Sequence, residues 1–514
     1  MTAQDTGSSP RIADLIATTA RRQPDARALV VSAERASISY RDLVRLVDGL
    51  AGQLAGGGLR PGDRAALRAR SSAEFVVGLL AASRAGLVLV PLDPALPVAE
   101  QHARITVAGA RVVLVDADSD TSGETEETAL PAWPVSVTVG GDTAAHLDTT
   151  AELAPATAGP DGLRPDDALI MFTGGTTGSP KMVPWTHDNV ATSVRGVIDT
   201  YELRPDDATV AVMPLFHGHG LIAALLSTLV SGGTVLIPAG GRFSAHTFAD
   251  DVHAAGATWF TAVPTIHQIL LQRGTGADHD RAPLRFIRSC SAPLSPETAE
   301  AARAAFDAPM LSAYGMTEAT HQVASTGVND AVTSGLVGRS TGAEIRIAGD
   351  DGRPCPPGGV GEVWLRGRTV VRGYLGNAAA TAGTFTDGWL HTGDLGSLSV
   401  DGELTLRGRI KELIIRAGEN ISPEHVEGVL VSHPKVVEAA VFGVSDSLYG
   451  ETVAAVIVPD PSATPTTEEL KEFCRQRLAP FEIPGNIAVI DELPHTAKGS
   501  VDRRAVAQRF GNGG

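Results

Sequence analysis

From Asp25 to about Ala319, short apolar runs alternate with stretches in which apolar residues recur every three or four positions. The runs "ALVVSA", "RAALRA" and "LVLVPLD" predict strands, whereas "YRDLVRLVDGLAGQLAGG" and "SAEFVVGLLAASRAG" between them predict helices. The alternation returns with "ALIMFT", "TVAVMPLF", "GTVLIPAG", "ATWFTAVP" and "LRFIRSCS", interleaved with "GLIAALLSTLVSG" and "TFADDVHAAG". Strand–helix–strand units of this kind build a mostly parallel sheet covered on both faces. Asp116 to Asp166 breaks the rhythm: rich in Ser, Thr, Gly, Glu and Pro, it is expected to be a surface excursion or loose linker.

From Ala343 the pattern turns to strands, "AEIRIAG" and "GEVWLRG", punctuated by Gly and Pro, and predicts a small β subdomain over about 335–409. Past "LTLRGRIKELI" the texture changes again. "SPEHVEGVLVSH" and "TEELKEFCRQRL" read as helices, and "VVEAAVFGV", "ETVAAVIVP" and "NIAVID" as strands. The expected organisation is α/β: a large N-terminal domain over 1–409, mostly parallel sheets with flanking helices, and a small α+β domain over 410–514. No repeat of 20–50 residues is visible.

A chain of 514 residues is too long for one compact core, which agrees with that division. Its apolar fraction of 43% and charged fraction of 20% are those of an ordinary globular protein. There is no apolar run of membrane-spanning length, and the N-terminus lacks the basic and apolar segments of a signal peptide. Cys290, Cys355 and Cys474 are far apart and match no metal spacing. A cytoplasmic monomer or homodimer acting on small molecules is expected. The net charge of −17 argues against nucleic acid or an anionic membrane as partner.

The charge also poses a problem, because an acidic protein that handles anions must concentrate its cations locally. Only five lysines occur, Lys181, Lys411, Lys435, Lys471 and Lys498, against 37 arginines. Arginine cannot imitate a compact ammonium on a flexible stem, so a surviving lysine is informative.

The most distinctive stretch is "MFTGGTTGSPKMVPWTH", Met171 to His187. It leaves the strand-like "ALIMFT", and open α/β sheets bind ligands at the carboxyl ends of their strands. Gly174, Gly175 and Gly178 let backbone approach an oxygen-rich group, Thr173, Thr176 and Thr177 add hydroxyls, and Lys181 adds a point charge. Ser179 and Pro180 stand where a Walker loop would need its lysine, so this is a different kind of phosphate loop. On composition alone, phosphate binding and a flexible turn both remain open.

"TGGTTGSPKMV" resembles the signature loop of the adenylate-forming enzymes, which include acyl-CoA synthetases, firefly luciferase and peptide-synthetase adenylation domains. "YGMTE" (Tyr314 to Glu318), "WLHTGD" (Trp389 to Asp394), "GRIKELIIRAGENISP" (Gly408 to Pro423) and "LPHTAKGSVDRR" (Leu493 to Arg504) follow in the order of that family. "PLFHGHGL", "GRFSAHTF", "TAVPTIHQILL", "FIRSCSA" and "GMTEATHQ" look most like oxalate–CoA ligases.

The resemblance implies that ATP and a carboxylate form an acyl-adenylate, whose AMP is then displaced by the thiol of coenzyme A. Thr173, Thr176, Thr177 and Lys181 would hold the β- and γ-phosphates. Thr317 would contact the α-phosphate, and Glu318 would bind Mg²⁺, a hard cation that prefers carboxylate and phosphate oxygens. Tyr314, with Gly315 and Met316 beside it, would stack on adenine, whose edge is read by the backbone around Ser291, Ala292 and Pro293. Asp394 would accept from the ribose hydroxyls with Arg409 nearby, although a turn cap is an ordinary use of Asp. Lys411 occupies the hinge position about which the C-terminal domain would swing, Gly418 would lie by the pantetheine channel, and His217 between that channel and the acyl pocket.

Three positions depart from the family pattern. Gly174 stands where serine is usual, and Met182 where glycine follows the lysine. In "TAKGSVDRR" the place of the adenylation lysine is taken by Ser500, with Lys498 two residues earlier. Either adenylation is crippled or Lys498 substitutes, since residues two apart in an extended segment share a face, roughly 6.6 Å apart. An ordinary surface lysine is the plain alternative.

For the acid, the segments expected to line the acyl site carry His217, His219, Arg288, Ser289, Ser291 and His321, with Arg242 a further candidate. Each histidine alone would suit a structural role. Together, cations and hydroxyls suit a second carboxylate, with oxalate first and another short dicarboxylate or polar acid next. Two rivals remain: an adenylating enzyme of specialised metabolism that passes an activated small anion to a nucleophile other than CoA, and an inactive nucleotide-binding homologue.

Overall fold

The computed structural model describes residues 10–31, 34–117, 130–140, 142–173, 180–274, 284–417, 419–446, 448–461, 463–495 and 501–511. Local signals start most of its helices. Ser39, Ser72, Thr186, Ser295, Ser422 and Thr466 each accept a hydrogen bond from a first-turn backbone N–H. Thr186 with Asn189, and Thr466 with Glu469, form reciprocal capping boxes.

Three sheets organise the described residues. In the first, strands Arg64–Arg68, Val88–Leu92, Val112–Asp116, Ala132–Thr138 and Asp167–Thr173 run parallel, with Ala144–Leu147 and Lys181–Thr186 antiparallel at its edges. The excursion expected over 116–166 therefore contains two sheet strands, and Trp133 within it is fully buried. Its polar composition hid them because neither strand is buried along its whole length, and Ala132–Thr138 buries only Trp133 and Val135.

The second sheet carries a parallel block of Arg27–Val31, Thr234–Leu236, Ala208–Val210, Trp259–Ala262, Phe286–Ser289 and Met310–Met316. His321–Ser325 then pairs antiparallel to Met310–Met316, and Leu336–Ser340, Leu404–Arg409, Trp389–Leu398, Gly361–Arg366 and Glu344–Ala348 extend the same hydrogen-bonded sheet. The strands read as a β subdomain thus continue the parallel sheet edge to edge. Buried apolar residues, from Ile12 and Leu29 through Phe75 and Trp185 to Trp259, fill the space between these two sheets and their helices.

The C-terminal residues form the third sheet, Glu419–Ile421, Ile414–Arg416, Gly450–Pro459 and Val436–Asp446, with Asn486–Val489 added parallel. Helices Pro423–Val431 and Thr467–Arg475 supply Val426, Leu430, Leu470 and Cys474 to its core. Arg503 ties this unit together: its guanidinium lies 2.5 Å from Glu412, 3.0 Å from Glu424 and 2.6 Å from Glu427. Arg503→Met leaves three carboxylates facing one another, so thermal melts should show a loss of about 3 kcal/mol, partly restored by adding Glu412→Gln. A melt unchanged in both variants would remove this clamp from the account of stability.

Candidate active site

Strand ends and the turns after them gather the chemistry. Thr173 and Lys181 sit directly opposite each other in an antiparallel pair. Gly174, Gly175, Thr176, Thr177 and Gly178 lie outside the described residues, as do Gly418, Lys498 and Ser500. Lys181 Nζ stands 4.5 Å from the centre of the Tyr374 ring, a cation–π contact. Among the described residues it has no carboxylate partner, which leaves its charge available to an anion.

The phenol of Tyr374 donates to Glu318 Oε1 at 2.9 Å. One aromatic side chain therefore holds the loop lysine on its face and Glu318 at its hydroxyl. Leu375 N donates to Met182 O at 3.0 Å and Trp185 Nε1 to Thr317 O at 2.8 Å, tying both neighbours of this pair to strand Lys181–Thr186. Nothing in the local sequence marks Tyr374 or Trp185. Their partners lie 56 and 132 residues away.

Glu318 is buried, and its second oxygen has no hydrogen-bond partner among the described residues. No three His, Cys, Asp or Glu among the described residues gather into a metal cluster. A single carboxylate with one oxygen open suits Mg²⁺ held jointly with phosphate oxygens and water rather than in a protein cage.

Tyr314 is buried, and its hydroxyl donates to Asp394 Oδ2, while Arg409 Nε lies 3.0 Å from Asp394 Oδ1. Burial raises the Asp394 carboxyl above its usual range, against the opposing pull of Arg409. The three residues separated by 80 and 15 positions are thus brought together, with Asp394 and Arg409 paired across adjacent strands. Gly315 is dictated by crowding: a Cβ there would lie 1.7 Å from the carbonyl oxygen of His321. Met316 is half-buried beside it, and Ser291, Ala292 and Pro293 follow the end of strand Phe286–Ser289. Lys411 is exposed in the turn Ile410–Glu412.

The acid candidates converge. The segment expected to be a plain helix begins as a wide π-turn, His219–Leu226, which starts at a candidate residue. His219 and His321 stack with ring centroids 5.3 Å apart, and both touch Arg288. Arg288 sits in the parallel sheet with Thr261 beside it in register, and it is completely buried. His219 Nδ1 lies 3.1 Å from Ser291 Oγ. His217 is half-buried two residues earlier, and the Ser289 hydroxyl is buried with no hydrogen-bond partner among the described residues. Ser291, Thr320 and His321 have φ of 74°, 52° and 80°, a left-handed backbone that non-glycine residues adopt at a cost of order 1–3 kcal/mol each. Tyr201, Thr261 and Gln322 complete the surroundings of Arg288; Thr261 opens "TAVPTIHQILL" and Gln322 closes "GMTEATHQ", whereas Tyr201 stands in no motif.

Residues 16–375 match the AMP-binding enzyme family and residues 425–500 the AMP-binding enzyme C-terminal domain. The chain is 40% identical to an oxalate–CoA ligase of Arabidopsis thaliana, over 98% of this chain and 99% of that one. It is 34% identical to a sulfoacetate–CoA ligase of Cupriavidus necator, over 96% of each. The crystal structure of ATP-bound MatB from Rhodopseudomonas palustris superposes with a TM-score of 0.85 at 30% identity, covering 97% of this chain and 99% of that one. The chain belongs to the AMP-binding enzyme family. It is an AMP-forming acid–thiol ligase that uses ATP, Mg²⁺ and coenzyme A. No described helix is long and apolar enough to cross a membrane.

Tyr374→Phe keeps the ring face for Lys181 and removes the bond to Glu318. Titration of ATP in the presence of Mg²⁺ should show binding weakened about five- to tenfold, with little change when the metal is chelated. Tyr374→Leu should weaken both. Equal affinities for all three proteins would show that this phenol orients neither group.

Proposed function

We propose that this ligase activates oxalate or another short dicarboxylate. One carboxylate oxygen attacks the α-phosphorus of ATP and the bond to pyrophosphate breaks. The CoA sulfur then attacks the acyl carbon and AMP departs. Thr173, Thr176, Thr177 and Lys181 hold the departing phosphates, Thr317 the α-phosphate and Glu318 the Mg²⁺. Tyr314 with the 291–293 backbone holds adenine, and Asp394 with Arg409 the ribose. Lys498 supplies the ammonium at the reacting carboxylate. The unit from residue 410 swings about Lys411 between the two half-reactions, with His217 and Gly418 along the thiol's approach.

One observation carries the choice of acid. Arg288 is a buried cation that has no ion pair among the described residues, and it stands beside two histidines at the expected acyl site. Isolated charge in an interior is costly, so the region favours an anionic guest over an apolar chain. The full-length similarity to an oxalate–CoA ligase supports the same reading. The test is ATP–pyrophosphate exchange over a panel of acids, followed by detection of the acyl-CoA. Exchange should be strongest with oxalate, then other short diacids, and AMP release should require CoA. Exchange with fatty or aromatic acids and none with short diacids would overturn the choice of acid. AMP release to an amine without CoA would overturn the acceptor.

A further inference from the structure

We propose that Arg288 is a positioning residue that never touches the acid: it holds His219 and His321 as neutral imidazoles with bare Nε2 and protonated Nδ1, so that the distal carboxylate is met by their relayed N–H and O–H donors. This rests on the reading of a short dicarboxylate given above.

The geometry accounts for every donor of the guanidinium. Nε lies 2.8 Å from the Tyr201 hydroxyl and 3.2 Å from Gln322 Oε1. One terminal nitrogen lies 2.9 Å from Thr261 Oγ1 and 3.1 Å from His219 Nε2; the other lies 2.8 Å from Gln322 Oε1 and 3.1 Å from His321 Nε2. Arginine has five N–H donors and cannot accept, so each atom facing it must offer a lone pair. Both imidazoles must then leave Nε2 unprotonated. Thr261 Oγ1, 2.6 Å from His219 Nε2, is placed to donate there while accepting from Arg288.

A neutral imidazole with bare Nε2 carries its hydrogen on Nδ1. His219 Nδ1–H is directed to Ser291 Oγ at 3.1 Å, which frees the serine hydroxyl hydrogen to donate onward. His321 Nδ1 has no hydrogen-bond partner among the described residues and keeps its N–H for a ligand. Two donors are thereby preset, backed by a cation with no donor left to spend on substrate. Preorganised dipoles of this kind need no rearrangement when an anion arrives.

The charged and titratable groups bearing on the pair agree. Burial first, and Arg288 next, hold both histidines well below their ordinary pKa; His321, then His267 and His217, add to the effect on His219. The titratable neighbours of Arg288 itself are Tyr201 and Cys290. No carboxylate pairs with Arg288 or either histidine among the described residues. Across the neutral range the acid therefore meets uncharged imidazoles, and removing the guanidinium lets them take up protons at higher pH.

The experiment compares wild type with Arg288→Met in pyrophosphate exchange from about pH 5.5 to 7.5, with oxalate and with acetate as a singly charged control. Wild-type kcat/KM for oxalate should not show an imidazole titration. The variant should lose roughly ten- to a hundredfold at neutral pH and regain several-fold on acidification, with a smaller loss for acetate. A variant profile parallel to wild type, or equal losses for both acids, overturns the proposal. Because a buried variant can misfold, ¹⁵N-histidine spectra of the wild type give a second readout, with His219→Gln and His321→Gln assigning the signals. Two imidazoles protonated at Nδ1 and unchanged down to about pH 5.5 support the assignment, and titration of either above pH 6 sinks it. The spectra stand whatever acid is used, so a protein inert to every short diacid would refute the substrate reading separately.

Discussion

Lys498→Ala should all but abolish pyrophosphate exchange, a loss of roughly a hundred- to a thousandfold, whereas Ser500→Ala should change it by less than about threefold. Adenylation brings an anionic carboxylate against an anionic phosphate, and a cation at that junction stabilises charge that exists only in the transition state. A serine hydroxyl cannot supply it. Lys498 is the proposed source, because a lysine stem spans about the separation of two residues in an extended chain. Supplying chemically made acyl-adenylate separates chemistry from folding: Lys498→Ala should still convert it to the CoA thioester. Exchange by Lys498→Ala at the wild-type rate would end the substitution idea.

Glu318→Gln should lower kcat/KM for ATP on the order of a hundredfold, with part of the loss recovered at raised Mg²⁺. Glutamine can still accept from the Tyr374 hydroxyl, so the packing around position 318 persists while the charge is removed. The missing charge is what a divalent cation would notice, since Mg²⁺ at such sites shares few protein ligands with phosphate oxygens. The readout is the Mg²⁺ concentration at half-maximal exchange, which should rise several-fold. An unchanged metal dependence would move the cation to another ligand.

Much of the candidate site was legible because its parts are local. A glycine- and threonine-rich loop after an apolar run, an acid after "YGMT", and an aspartate in "HTGD" each declare themselves within a few residues. The supports did not. Tyr374 reaches Glu318, and Tyr201 reaches Arg288 across 87 positions, and neither stands in a motif. Arg288, grouped by sequence with the acid-binding residues, is fully buried with its donors engaged by Tyr201, Thr261, Gln322, His219 and His321. That difference decides whether the acid is met by a guanidinium or by imidazole and serine donors.

Secondary structure divides along the same line. Alternation, caps and turn residues act over one or two turns of chain, so the strands and helices of 25–319 and of the C-terminal unit could be read directly from periodicity. The strands at 132–147, the π-turn at His219 and the fusion of the 336–409 strands onto the parallel sheet could not, because each depends on which distant surface lies alongside. Sequence by itself determined the chemistry available: a glycine- and threonine-rich loop, a carboxylate after "YGMT", histidines and scarce lysines at set places. Tertiary structure alone decided which atoms of those residues remain free, since hydrogen-bond donors buried together must find acceptors wherever the fold supplies them.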